Sequence, residues 1–228
     1  MSREVKNPQE RRLEFTQAAE ALFIEKGYQQ TSVSDIVKKM GVAHGLFYYY
    51  FNSKEELLDE IVEGMLQEAA HRLEDVVNDP DDDAIEKLRK FIYSMFDVKS
   101  SRVYLIGYVL QDKNILFYYK WLNSSKKTIL PYWFSIVKQG VDEGYFDTPY
   151  PEEAVEFIFN GTRFLLSSPE ALHGQAFLGK MMAAADMMER VLGAKKGVIA
   201  TIYQELAKDV LEMMDASLEH NQEITNEP

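Results

Sequence analysis

Residues Thr31 to Lys54, TSVSDIVKKMGVAHGLFYYYFNSK, constrain this chain more than any other stretch. Val33, Ile36, Val37 and Met40 recur at i, i+3, i+4 and i+7, which draws one apolar stripe along a helix of about two turns. Thr31 or Ser32 can cap its first amides, and Gly41 follows the last apolar position, where a left-handed residue ends a helix at little cost. Ala43 to Tyr50 then spells a second helix, short and aromatic. Helix, glycine turn and short helix together form the helix-turn-helix pattern. On a helical wheel the second helix separates His44, Gly45, Tyr48 and Tyr49 from Phe47 and Tyr50, with Leu46 nearer the second group. The first group is free to meet a ligand.

The rest of the chain reads as helices arranged around this pair. Asn7-Pro8 starts a helix near residue 9, with Phe15, Ala18, Ala19, Leu22 and Phe23 as its buried stripe and Gly27 as its stop. Asn52-Ser53 breaks the aromatic helix and caps a long one reaching about Val77 through Leu58, Ile61, Val62, Met65, Ala69, Leu73 and Val76, long enough to join two domains. Asn78 to Asp83 is an acidic turn, followed by a stripe of Ile85, Leu88, Phe91, Ile92 and Phe96. From Ser101 to Gln139 the helical pattern turns aromatic, and Pro131 should kink or divide it. Gly140 to Pro151 reads as a loop, Glu152 to Leu166 as a helix with Ala154, Gly161 and Thr162 on a small face, and Ser167 to Gly174 as another break. Phe177 to Leu192 and Val198 to about Leu218 close the chain, followed by a polar tail. With no strand alternation and no internal repeat, the fold class is all-α.

Composition narrows the chemistry. The chain has 228 residues and no cysteine, which excludes disulfides, thiol catalysis and cysteine-ligated zinc. Its amino terminus is polar, and charges break every apolar run well before the ~20 residues that a membrane-spanning helix needs, so a cytoplasmic protein is expected. The formal charge is −12. It is uneven: residues 1–54 carry eight basic and six acidic side chains, a net of +2, which leaves −14 on the remainder. An acidic body with a slightly basic head suits a protein that touches phosphate with one end only.

Phe23, Gly27-Tyr28, Thr31-Ser32-Val33, Asp35-Ile36, Gly41-Val42, Gly45, Tyr48, Tyr50-Phe51 and Ser53-Lys54 followed by Glu55 and Leu57 resemble the amino-terminal domain of tetracycline-repressor (TetR) family regulators. About a dozen positions fit in order without gaps over roughly the first 60 residues, a far more specific signal than a helix-turn-helix spacing alone. The resemblance implies a helix-turn-helix DNA-binding domain at 1–54, joined by the long helix to a helical effector-binding and dimerisation domain at 55–228. It also implies a homodimer on a near-palindromic double-stranded operator, a repressor released by a small hydrophobic effector, and no cofactor. The DNA-facing residues expected are Thr31, Ser32, Ser34, Ala43, His44, Gly45, Leu46, Tyr48, Tyr49 and Lys54. A tyrosine hydroxyl can donate to phosphate while its ring packs on the sugars, His44 can reach phosphate or a base edge, and Lys54 adds charge to a helix amino terminus. Ala43 and Leu46 depart from the usual family pattern, in which Ser or Thr and a small polar residue stand there; Leu46 has contact with a thymine methyl open to it. The resemblance places the effector cavity in the aromatic middle of the chain, with Phe96, Tyr104, Tyr108, Phe117, Trp121 and Phe134 as lining candidates. Dimerisation is expected through helices near 152–167 and 198–218.

Two other readings compete. A TetR-like sensor could activate transcription or act through a protein partner. Glu68-x-x-His71 and Glu170-x-x-His173 have the spacing used by di-metal carboxylate bundles, which would make the chain a helical metalloenzyme. At 100° per residue, however, His71 faces away from the apolar stripe of its own helix, and Glu170 to His173 is pinned between Pro169 and Gly174.

Overall fold

The structure is a computed structural model and describes residues 7–96, 115–166 and 174–209. Helices α1 (Pro8–Lys26), α2 (Val33–Met40) and α3 (His44–Tyr50) make the head, and α4 (Lys54–Asn78) leaves it. Helices α5 (Ala84–Phe96), α6 (Ile115–Thr128), α7 (Leu130–Asp142), α8 (Pro151–Leu166), α9 (Gly174–Leu192) and α10 (198–209) make the body. No strand occurs among the described residues.

The head forms because the apolar stripes of α1, α2 and α3 meet at one point. Phe15 is fully buried, its ring 5.7 Å from Phe47, 5.8 Å from Tyr50 and 5.9 Å from Phe51, the Phe47 and Phe51 contacts being edge-on. Asn7 caps α1 by accepting from Gln9 N at 3.1 Å, with Pro8 in the first position, where its missing N–H costs nothing. Ser32, not Thr31, caps α2, in a reciprocal box with Asp35. Gly41 ends α2 at φ +65°, the left-handed geometry that its place after the stripe requires.

Helix α4 carries the head into the body: its buried residues are Leu57, Leu58, Ile61, Val62, Leu66 and Leu73, and it packs on α1 at one end and on α5, α6 and α7 along its length. Met65 and Ala69, expected in the stripe, are only partly buried, because α4 is covered on a face centred nearer Leu66. Pro131 divides the aromatic region as expected, α6 ending at Thr128 and α7 beginning at Leu130. The loop expected from Gly140 is shorter than its composition implied: α7 continues to Asp142, since Gly140 is a close-packing position where an added Cβ would sit 2.3 Å from the Phe146 ring. Helices α7, α8 and α9 pack in succession, and α10 lays Ile199, Ile202, Tyr203 and Leu206 into the same core.

Among the described residues no helix is long and apolar enough to cross a membrane. Glu68 and His71 stand on the exposed side of α4, Glu68 paired with Arg72 at 3.3 Å, while Glu170 and His173 lie outside the described residues. No group of three or more metal-ligating side chains occurs among the described residues.

Candidate nucleic-acid interface

Helix α3 is seven residues long and its position is set by its neighbours rather than by its own cap, because Ala43 offers no side-chain hydrogen bond to the first amides. Phe47 anchors it in the core. At its carboxy-terminal end the Arg12 guanidinium donates to Tyr50 O at 2.7 Å and to Glu60 of α4, and stacks 4.4 Å from the centre of the Phe51 ring. The hydrogen bond to Glu60 raises the Arg12 pKa above its ordinary value. One side chain from α1 thus ties α3 to α4. Nothing local in the sequence points to Arg12, since its acidic partner lies 48 residues away.

With those anchors in place, α3 presents His44, Gly45, Tyr48 and Tyr49 outward; Tyr48 is 53% and Tyr49 77% exposed, large values for rings this size. Their rings are supported from the side, Tyr48 lying 5.4 Å from His44 and 5.3 Å from Phe47, and Tyr49 4.9 Å from Tyr50. Leu46 is half-buried against the head core and Ala43 is exposed. On α2, Ser32 and Ser34 are exposed, as are Lys38 and Lys39 in its last turn. Ser32 is also engaged locally, its N–H and hydroxyl donating to Asp35 at 2.8 and 2.6 Å. Lys26, 2.8 Å from the same carboxylate, and these Ser32 bonds hold the Asp35 carboxyl well below the usual range.

Two expected DNA-facing residues are placed otherwise. Thr31 is buried, its hydroxyl donating to Gly27 O at 2.8 Å and to Leu22 O at 3.3 Å, so it pins the α1–α2 turn. Lys54 does not extend outward: its ammonium donates to Tyr28 O and Thr31 O, both at 2.8 Å, and lies 4.1 Å from the centre of the Tyr28 ring. Desolvation there lowers its pKa. The carbonyls of the turn and the ring face form a cradle that only the folded head assembles. Replacing Lys54 by alanine is expected to lower stability by about 1–2 kcal/mol, the scale of hydrogen bonds from a charged donor, and to leave the salt dependence of DNA binding nearly unchanged. Urea melts and affinity titrations from low to high salt check this; a salt slope reduced by a full ion per protomer with unchanged stability would return Lys54 to the phosphates.

A family match covers this geometry. Residues 15–61 fit the model of the family described as "Bacterial regulatory proteins, tetR family", a span that begins at the core ring Phe15 and ends in α4.

Over this head the chain resembles the TetR family.

The HTH-type transcriptional repressor KstR2 of Mycobacterium tuberculosis is 28% identical over 156 residues, 67% of this chain and 76% of that protein. Its structure, titled a ketosteroid transcriptional regulator, superposes with a TM-score of 0.50 at 25% identity, over 82% of this chain and 96% of its own. SmeT, the repressor of the Stenotrophomonas maltophilia multidrug efflux pump SmeDEF, has the same fold at TM-score 0.63 and 22% identity, covering 82% of this chain and 92% of its own. RolR in complex with resorcinol has it at TM-score 0.57 and 20% identity, covering 86% and 94%. TetR-family members of this kind are DNA-binding transcriptional regulators, and the all-α architecture with an amino-terminal helix-turn-helix is shared by this chain.

On the effector side, Tyr104 and Tyr108 lie outside the described residues, as do the side chains of Phe96 and Phe117. Trp121 on α6 and Phe134 on α7 are half-buried. The structure adds a residue that the sequence reading left out: Trp133 is buried against Phe91 at 5.3 Å and Phe159 at 6.5 Å. Its indole Nε1 is buried and has no hydrogen-bond partner among the described residues. A neighbouring tryptophan in an aromatic run carries no sequence signal that would single it out. Between the two sides of the molecule, Lys120 of α6 reaches the first turns of α4, pairing with Asp59 and, at 3.1 Å, with Glu55.

Proposed function

We propose that this protein is a homodimeric repressor that holds a near-palindromic operator through α3 and the start of α2 and releases it when a hydrophobic small molecule enters the body. The observation that carries the reading is the outward aromatic face of α3, Tyr48 and Tyr49 with His44, on a head fixed by Phe15, Arg12 and the α2 capping box. Exposed rings of this size on a rigid helix suit sugar and phosphate contact, and Lys38 and Lys39 add charge beside them. Selection of operators from random duplex DNA by the full chain is expected to enrich an inverted repeat. Tyr49→Ala should weaken that binding at least tenfold without altering the melting curve, and failure to enrich any sequence would remove the reading.

Dimerisation through α8, one of the two helices first expected, together with α9 is favoured. Among the described residues of α10, Ile199, Ile202, Tyr203 and Leu206 are covered by their own chain, whereas Phe157 and Phe164 on α8 are 67% and 81% exposed along an open groove with Glu153, Glu156, Asn160 and Gly161. Rings this exposed on a helix whose other faces pack on α7 and α9 call for a second copy. Phe157→Asp should give a monomer in sedimentation that no longer binds the operator; an unchanged dimer would show that another face is used.

An aromatic or otherwise flat effector is supported by Trp121, Trp133 and Phe134 in the body and by two similar proteins, the ketosteroid transcriptional regulator KstR2 and RolR, whose ligand is resorcinol. Such a molecule must bind the DNA-incompetent state more tightly, since only differential affinity shifts the equilibrium. A thermal-shift and operator-release screen over lipophilic, sugar and phosphorylated compounds tests it, and release only by a phosphorylated metabolite would refute the hydrophobic class.

A further inference from the structure

We infer that α3 discriminates operators by the 5-methyl groups of thymine, read by Leu46, and not by polar matching of base edges. The inference rests on the DNA-binding reading above. Side chains that match base edges with paired hydrogen bonds are Arg, Lys, Asn and Gln, and Asp or Glu accept from cytosine. Helix α3, HGLFYYY, contains none of the six. Its polar groups are one imidazole and the tyrosine hydroxyls, none of which carries the side-by-side pair of hydrogen-bonding atoms that matches a base edge, so they fix register more than sequence. With Lys54 turned inward, the nearest exposed long cations in sequence are Lys38 and Lys39 at the end of α2, whose ammonium groups act as point charges suited to phosphate.

What remains on the outer surface is apolar. Leu46 is the only aliphatic side chain of α3, half-buried so that the head core holds its stem in place. Beside it Gly45 is exposed with nothing within 4 Å of an added Cβ, so the helix backbone carries no side chain that would hold it off the groove floor. Tyr48 and Tyr49 flank this strip with rings fixed by His44, Phe47 and Tyr50. A bare backbone, one aliphatic side chain and two ring edges match the one apolar feature that the major groove offers, the thymine methyl.

The test takes an operator enriched by the full chain and replaces its thymines by uracil one symmetric pair at a time, which deletes the methyl and leaves every hydrogen-bonding group. At one pair or two, affinity should fall about fourfold per methyl and about fifteenfold for the symmetric pair, the ratios that loss of one buried methyl-sized group per half-site corresponds to. Leu46→Ala should bind thymine and uracil versions of that pair equally, and 5-methylcytosine at the same position should restore part of the wild-type affinity lost with cytosine. Specific binding that no uracil substitution weakens would overturn the inference while leaving the DNA-binding reading intact. Failure to enrich any operator would overturn both.

Discussion

Replacing Phe15 by alanine is expected to lower the stability of the head by about 3–5 kcal/mol and to abolish operator binding, the loss typical when a fully buried aromatic ring is removed. Phe15 has no solvent exposure, and its ring meets Phe47, Tyr50 and Phe51 at 5.7 to 5.9 Å. It therefore joins α1 to the middle and carboxy-terminal end of α3 and to the segment entering α4. The helices around it are 19, 8 and 7 residues long, and two of the three fall below the length at which a helix holds itself in water. Their order comes from packing on this ring. Phe15→Leu keeps most of the apolar volume and should cost less than half as much, which separates a packing loss from a misfolded preparation. Circular dichroism melts with operator titrations check both variants; full operator affinity in Phe15→Ala would show that α3 is positioned by something else.

The second large effect lies at the other end of the chain. Glu189 of α9 is buried, and its carboxylate accepts from Gly197 N at 2.9 and 3.0 Å and from Ile199 N and Ala200 N, both at 2.9 Å. It caps α10 from outside that helix: the first amides of a helix have no partner within it, and a negative charge is favoured there. Glu189→Ala leaves several amides without an acceptor and is expected to cost about 2–4 kcal/mol, undocking the α10 stripe of Ile199, Ile202 and Leu206 from the core. Glu189→Gln keeps one acceptor oxygen but turns an amide donor toward N–H groups, so an intermediate loss should follow. Urea melts of the three proteins decide it. A Glu189→Ala curve that overlays the wild type would mean that water replaces the carboxylate without penalty.

How much of this was legible beforehand depends on the range over which each contact acts. The helix-turn-helix could be read because its signals are local: the α2 stripe, the Ser32 cap with Asp35 three residues on, and Gly41 after Met40 all act within one or two turns. The division at Pro131 and the outward side of α3 with Tyr48 and Tyr49 follow from the same short-range geometry. Local signals also misplaced residues. Gly140 has the composition of a loop, yet it lies inside α7 because the Phe146 ring occupies the space where a side chain would be.

By itself, then, the sequence determined the all-α class, the order of most helices and the identity of the recognition helix, because periodicity and capping are properties of neighbouring residues. Only the tertiary structure decided which groups serve the interface and which hold it. Thr31 and Lys54 turn inward because the Gly27–Thr31 turn presents carbonyls and the Tyr28 ring to them, an arrangement that exists only once α1, α2 and α4 have met. Arg12 acquires its part from Glu60 and the Tyr50 carbonyl, and Glu189 from amides 8 to 11 residues further on. Packing covered Ala154, Val155 and Ile158 on α8 and Ile199, Ile202 and Leu206 on α10 but left Phe157 and Phe164 exposed on the other side of α8, since burial is decided by what the rest of the fold brings opposite a face and not by the face itself.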